Sequence, residues 1–172
     1  VSTRYTEKLG KKIVVPWLIL QGYHVEDLDH KHRNSSQAVR ERIGKNTGDF
    51  ALEKDGKKSY AELKVEERYT GNIWVEDWAD YLKSVGWLIY LKNAKHLLCY
   101  FLDTDTLFWL DWPRFKEWVL SNKERFEWRH QGKHPQRNDT TAYLVPISDI
   151  PSDLITKYAP QADLLPALSA AA

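Results

Sequence analysis

The sequence predicts an α/β domain with a mixed central β-sheet flanked by helices. Apolar residues switch between helical and alternating periods in the order helix, strand, hairpin, strand, helix, strands, helix, as in a layered α/β domain. Asp55-Gly56 also stands between two strand-like runs. That pair is a strong hairpin signal, because a two-residue type I′ turn needs positive φ twice. The chain has 172 residues, 42% of them apolar, with 8 Trp and 9 Tyr, enough for one domain with a real core, expected over residues 1–160.

Residues 5–21 read as a first helix, with Leu9, Ile13, Trp17 and Leu20 at helical spacing and Pro16 expected to kink or interrupt it. Gly22 ends it, and a short strand over 23–28 follows. A polar, basic connection comes next, with one or two helical turns around 36–43. Residues 50–53 and 58–65 are the hairpin arms, and 72–76 is a further strand after the turn at Thr70-Gly71. The stretch 80–91 is read as a nearly all-apolar helix buried on most sides. Strands over 96–102 and 107–110 flank a polar turn at 103–106. Asp111 then caps a helix with Pro113 in its first turn and Phe115, Trp118 and Val119 on its buried face. Late strands are expected over 126–129 and 143–147 with a polar loop, 131–141, between them. Residues 161–172 are low in complexity and are expected to fray.

Cys99 is the single cysteine and lies in an apolar run, where it reads as core. No signal pattern opens the sequence, and no apolar stretch approaches the ~20 residues of a membrane span. The expectation is a cytoplasmic protein without a membrane partner. Net charge is only +1, so the whole chain does not announce nucleic acid. Locally, Lys31, Arg33, Arg40, Arg42 and Lys45 face only Glu41, and residues 123–137 hold a second basic run. Each run suits either a solvated loop or a phosphate contact.

The hairpin places chemistry. Alternation sends Ala61, Leu63 and Val65 to one face and Tyr60, Glu62 and Lys64 to the other. With Asp55-Gly56 as the turn, Leu52 faces Ser59, Phe50 faces Ala61 and Asp49 faces Glu62. Directly opposed β-carbons are about 4.5–5.5 Å apart, and like charges there are destabilising. Two such carboxylates need protons or a cation, and Mg²⁺ or Mn²⁺ suits oxygen donors completed by water. Lys64 lies beside them, able to orient or help deprotonate an attacking water. The bland alternative is that Asp49 begins a strand while Glu62 and Lys64 decorate a solvent face.

Asp49, twelve intervening residues, and then Glu62-Leu63-Lys64 on the next strand resemble the core of the PD-(D/E)xK nuclease superfamily, the restriction-endonuclease-like fold. The segment Tyr69-Thr70-Gly71-Asn72-Ile73-Trp74-Val75-Glu76 and the later Ser84-Val85-Gly86-Trp87 are similar to small phage and mobile-element members. The resemblance covers roughly residues 5–118. It implies Mg²⁺ on Asp49 and Glu62, assisted by the Leu63 carbonyl, with Lys64 catalytic. Many members add a first-helix glutamate, and Glu7 is the only acidic residue there. Gly48 stands where the family's proline would be, a permissive position.

The expected activity is therefore Mg²⁺-dependent endonucleolytic hydrolysis of DNA, with a homodimer where two sites pair on a duplex. The alternative is a binding or assembly module of the same fold that does not cut. Candidates for nucleic-acid contact are Arg40, Arg42, Lys45, Arg68, Tyr69 and Asn72, though Arg68 and Tyr69 also suit a plain polar turn. Glu76 shares a strand face with Asn72 and Trp74, either toward the site or toward solvent. His130 and His134 have zinc-like spacing, but Gly132 and Pro135 make the stretch a loop without a third ligand.

Overall fold

The computed structural model describes residues 3–28, 47–132 and 139–170. Helix α1, Thr3–Leu20, runs unbroken through Pro16, which lies on its exposed side where water can satisfy the carbonyl that loses its partner. Its buried stripe is Val14, Trp17 and Leu18. Of the residues expected inside, Trp17 is buried, Leu9 and Ile13 are half-buried, and Leu20 is exposed. Apolar residues surround the last turns of this helix, so periodicity alone left the stripe's phase open. Gly10 sets the helix against the sheet: a β-carbon there would lie 2.4 Å from a methyl of Val65.

Strands β1 (His24–Asp27), β2 (Phe50–Lys54) and β3 (Lys57–Glu66) form an antiparallel run. The hairpin register is the expected one, with Phe50 opposite Ala61 and Leu52 opposite Ser59. Asp55 and Gly56 take φ of 52° and 70°, as the turn requires. On its other side β3 pairs in parallel with β6 (His96–Phe101), followed by β7 (Thr106–Asp111) and β10 (Ile155–Tyr158). The resulting six-stranded sheet is mixed, in the order β1-β2-β3-β6-β7-β10.

A second, antiparallel sheet has the order β5-β4-β9-β8, from β4 (Asn72–Asp80), β5 (Ser84–Val85), β8 (Glu127–Gln131) and β9 (Thr140–Pro146). It corrects the expectation of one central sheet. It also replaces the helix expected over residues 80–91. Strand β4 continues to Asp80, Leu82 turns at a φ of 60° that no α-helix accepts, and only Trp87–Tyr90 (α2) is helical. Gly86 lets α2 press on β4, since a β-carbon there would meet the Glu76 carbonyl oxygen at 2.4 Å.

Helix α3, Trp112–Asn122, starts as expected: the Asp111 side chain accepts from the Arg114 amide, and Pro113 occupies the first turn. Phe115 and Val119 are buried, while Trp118 is half-buried. The tail expected to fray forms helix α4, Pro160–Ala170. Its first turn borrows a cap from the β6–β7 turn, where Asp105 accepts from the Gln161 and Ala162 amides. Trp17 Nε1 donates to Asp163 at 2.8 Å and ties α4 to α1. Among the described residues no helix is long and apolar enough to cross a membrane.

Both faces of the six-stranded sheet are covered. Phe50, Leu52, Ala61, Leu63, Leu98 and Tyr100 pack on one side with Val14, Trp17 and Leu18 of α1. Leu97, Cys99, Phe101 and Leu110 pack on the other with α3 and with Ile73, Val75 and Val145 of the second sheet. Each large side chain so buried contributes about 1.5–3 kcal/mol. Replacing Asp105 with glycine keeps its positive φ and removes the borrowed cap. The expected outcome is a loss of about 1–2 kcal/mol, with faster hydrogen exchange at the Gln161 and Ala162 amides. Unchanged exchange there would refute the capping role.

Candidate active site

Strand alternation on β3 carries Glu62 and Lys64 to the second covered face, beside Leu97 and Cys99 of β6. Glu62 is only 7% exposed, so the solvent-face alternative is excluded for it. Buried charges must find partners. Lys64 Nζ lies 2.6 Å from Glu62 Oε1 and 5.4 Å above the Trp87 ring. Burial works against the Lys64 ammonium, but Glu62, Tyr90 and Asp49 outweigh it, and its pKa is raised.

Asp49 sits just before β2, where its Oδ2 accepts from the Leu63 amide at 2.8 Å. An antiparallel strand residue directs its N–H and C=O to the same side, so the Leu63 carbonyl faces that edge too. Gly48 makes the approach possible: its φ is +86°, and a β-carbon would fall 2.6 Å from the Ala61 carbonyl oxygen. Proline, fixed near φ −65°, does not fit that backbone. Burial first, and then the Glu62 carboxylate, push the Asp49 carboxyl up to about 8, against the pull of Lys64, Lys11 and the Leu63 amide.

Lys11 went unmarked in the sequence. Its Nζ lies 3.5 Å from Glu7, 3.6 Å from Asp27 and 3.9 Å from Asp49, which joins α1, β1 and the site. The one available signal was its i, i+4 spacing from Glu7. Glu76 also approaches from β4: burial raises its pKa, Lys64 opposes this, and the Trp87 amide bonds it. Tyr90 is pushed up to about 12 by burial and keeps its phenolic proton at neutral pH.

Glu76 and Trp87, with residues of both sheets, line one cleft of about 940 Å³, which Lys11 and Tyr90 do not border. Asp49, Glu62, Leu63, Lys64 and Glu7 come together there, and Arg68 and Asn72 also border it. Tyr69 does not. Its ring rests edge-on against Phe101, 5.1 Å between centroids, and stacks toward Phe108. Arg40, Arg42 and Lys45 lie outside the described residues, as do the turns expected at 36–43 and His134. His130 pairs with Asp139.

Among the described residues no three His, Cys, Asp or Glu side chains form a metal-holding group. Asp49, Glu62 and the Leu63 carbonyl could hold a cation as a smaller set of oxygen donors. Its chemistry fits Mg²⁺ or Mn²⁺, because all donors are oxygens and the proton-retaining Asp49 marks an unmet demand for positive charge. Comparison with protein-family models, curated proteins and solved structures finds no match to this chain.

The Asp49 carboxyl predicts a pH signature. Unfolded, it ionises near its ordinary 3.8; folded, it holds its proton to about 8. Its contribution is fully present below pH 3.8, and stability falls as pH rises from there toward 8, because the native state binds the extra proton. In EDTA, the wild-type melting temperature should therefore drop relative to Asp49→Asn as pH rises through that window. Parallel curves would show that Asp49 ionises normally.

Proposed function

We propose that this chain is a divalent-metal-dependent nuclease that hydrolyses phosphodiester bonds of DNA endonucleolytically. The fold assignment that accompanies the proposal is the restriction-endonuclease-like one of the PD-(D/E)xK superfamily. The observation that supports it most is geometric: Lys64 Nζ lies 2.6 Å from the buried Glu62, and Asp49, held by the Leu63 amide, lines the same open cleft. Asp49, Glu62 and the Leu63 carbonyl would hold Mg²⁺ or Mn²⁺, with Glu7 at the margin. When bound, such an ion acidifies water and polarises a phosphoryl oxygen.

The protein's own groups do the rest. Lys64 stays protonated beside Glu62, so it serves as an orienter and as positive charge for the phosphoryl oxygens, rather than as a resting base. Asp49 is fixed by the Leu63 amide, and that amide is fixed by β3, so both carboxylates are positioned before substrate arrives. Arg68 and Asn72 at the cleft, with Arg40, Arg42 and Lys45, supply proposed contacts to the DNA backbone.

Metal binding and catalysis are separable by mutation. Mg²⁺ or Mn²⁺ should stabilise the fold, by about 2.7 kcal/mol at ~100 times the dissociation constant. Asp49→Asn with Glu62→Gln should abolish that melting shift; a shift that survives means the ligands lie elsewhere. Lys64→Ala should keep the metal shift and lower DNA affinity modestly. Its single-turnover cleavage should fall by a factor on the order of 10²–10³, as for the loss of one electrostatic stabiliser. Cleavage by Lys64→Ala at the wild-type rate would leave a binding module whose apparent nuclease activity comes from elsewhere.

A further inference from the structure

The form of nucleic acid that the cleft accepts can be inferred from its two walls; this step rests on the nuclease proposal for the same site. The floor is recessed: Glu62 is 7% exposed, and the Asp49 side chain 16%. The second wall is the face of the four-stranded sheet that alternates with its core residues Ile73, Val75 and Val145. Register there sets Trp74 opposite Leu144, and Glu76 and Arg129 on either side of Ala142, so Trp74 and Arg129 share the cleft-lining face. Arg68 and Arg129 are exposed at the rim, beside Glu66, while Asp49, Glu62 and Glu76 lie deeper.

We infer that the cleft binds an unpaired DNA strand, with Trp74 as a stacking platform for a base and Arg129 and Arg68 as phosphate contacts. A volume of about 940 Å³ is that of a cube roughly 10 Å on an edge. A duplex, whose major groove alone is about 12 Å wide, does not enter such a space. An unpaired strand bends into the cleft, and single-strand sites combine aromatic platforms with a cationic track. Arg129 is held to Glu127 through Nε at 2.7 Å, with both side chains more than half exposed. Such exposed pairs are weak, so exchanging Glu127 for a phosphate costs little.

The test is fluorescence anisotropy with labelled oligo-dT and with a blunt duplex of equal length, in Ca²⁺ and in EDTA. Wild-type protein should bind the single strand at least tenfold more tightly. Trp74→Leu should weaken that binding about five- to hundredfold, in keeping with one stacked base. Arg129→Gln, at an exposed position that does not threaten folding, should reduce the salt slope by about 0.7. Equal or tighter duplex binding, or single-strand binding unchanged in both variants, overturns the inference. A duplex preference with cleavage in Mg²⁺ leaves the nuclease proposal standing and removes this one. Single-strand preference without cleavage in Mg²⁺ or Mn²⁺ does the reverse. No binding to either DNA removes both.

Discussion

Strand β3 is covered on both faces, and the rest of the site follows from that constraint. Its parallel pairing with β6 places it in the interior of the sheet, where both surfaces are buried. Ala61 and Leu63 meet this demand on the α1 side as ordinary core. Glu62 and Lys64 meet it on the other side with charge, which survives there only if paired. A well-packed apolar pair at these positions would hold the fold as well or better, since desolvation consumes most of the Coulombic gain. Their presence on the wall of an open cleft is therefore better explained by chemistry than by stability.

Backbone contacts then fix the remaining groups. Gly10 allows α1 to lie against Val65, which brings Glu7 and Lys11 over the end of β3. Gly48 lets the segment before β2 touch the β3 backbone, so that Asp49 receives the Leu63 amide. The family's proline and this glycine thus require different local paths of the chain. The similarity to the PD-(D/E)xK pattern lies in the carboxylates and lysine, not in the residue before them. Lys11 adds a resident cation close to Asp49, Asp27 and Glu7, so the acidic edge of the site is partly neutralised by the chain itself.

The hairpin register, from Phe50 opposite Ala61 to Lys54 opposite Lys57, was legible in the sequence, because Asp55-Gly56 fits a type I′ turn that sets the pairs beyond it; Asp49, expected opposite Glu62, lies just before the ladder and bonds the Leu63 amide instead. The Asp111 cap and the buried Cys99 were legible for similarly local reasons. The second sheet was not. It pairs Asn72 with Pro146, and Trp78 with both Val85 and Thr141, contacts that no local window contains. The apolar content of residues 80–91 suggested a helix, but Leu82 at positive φ and Gly86 against Glu76 override that periodicity. The same missing sheet explains why the Asn72–Trp74–Glu76 face could be assigned either toward the site or toward solvent, and why Arg129 drew no attention as a neighbour of the site. Helix α4 escaped because its cap comes from Asp105, far away in sequence.

Under the proposed nuclease reading, cation and strand would enter the cleft as a linked event. With Glu62 on the floor, a phosphate descending from Arg68 and Arg129 would meet like charge, while burial keeps a proton on Asp49 to about 8. Lys64 cannot offset the Glu62 charge alone, because it is already committed to Glu62 at 2.6 Å. Burial is also the main cause that raises the Glu76 carboxyl. A divalent ion between Asp49 and Glu62 would relieve their repulsion, loosen the hold of Glu62 on Lys64, and turn the floor from repelling phosphate to attracting it. By linkage, each ligand would then raise the affinity for the other by the same factor. Arg68 and Arg129 would bring the strand to the cleft, and the loaded floor would admit it.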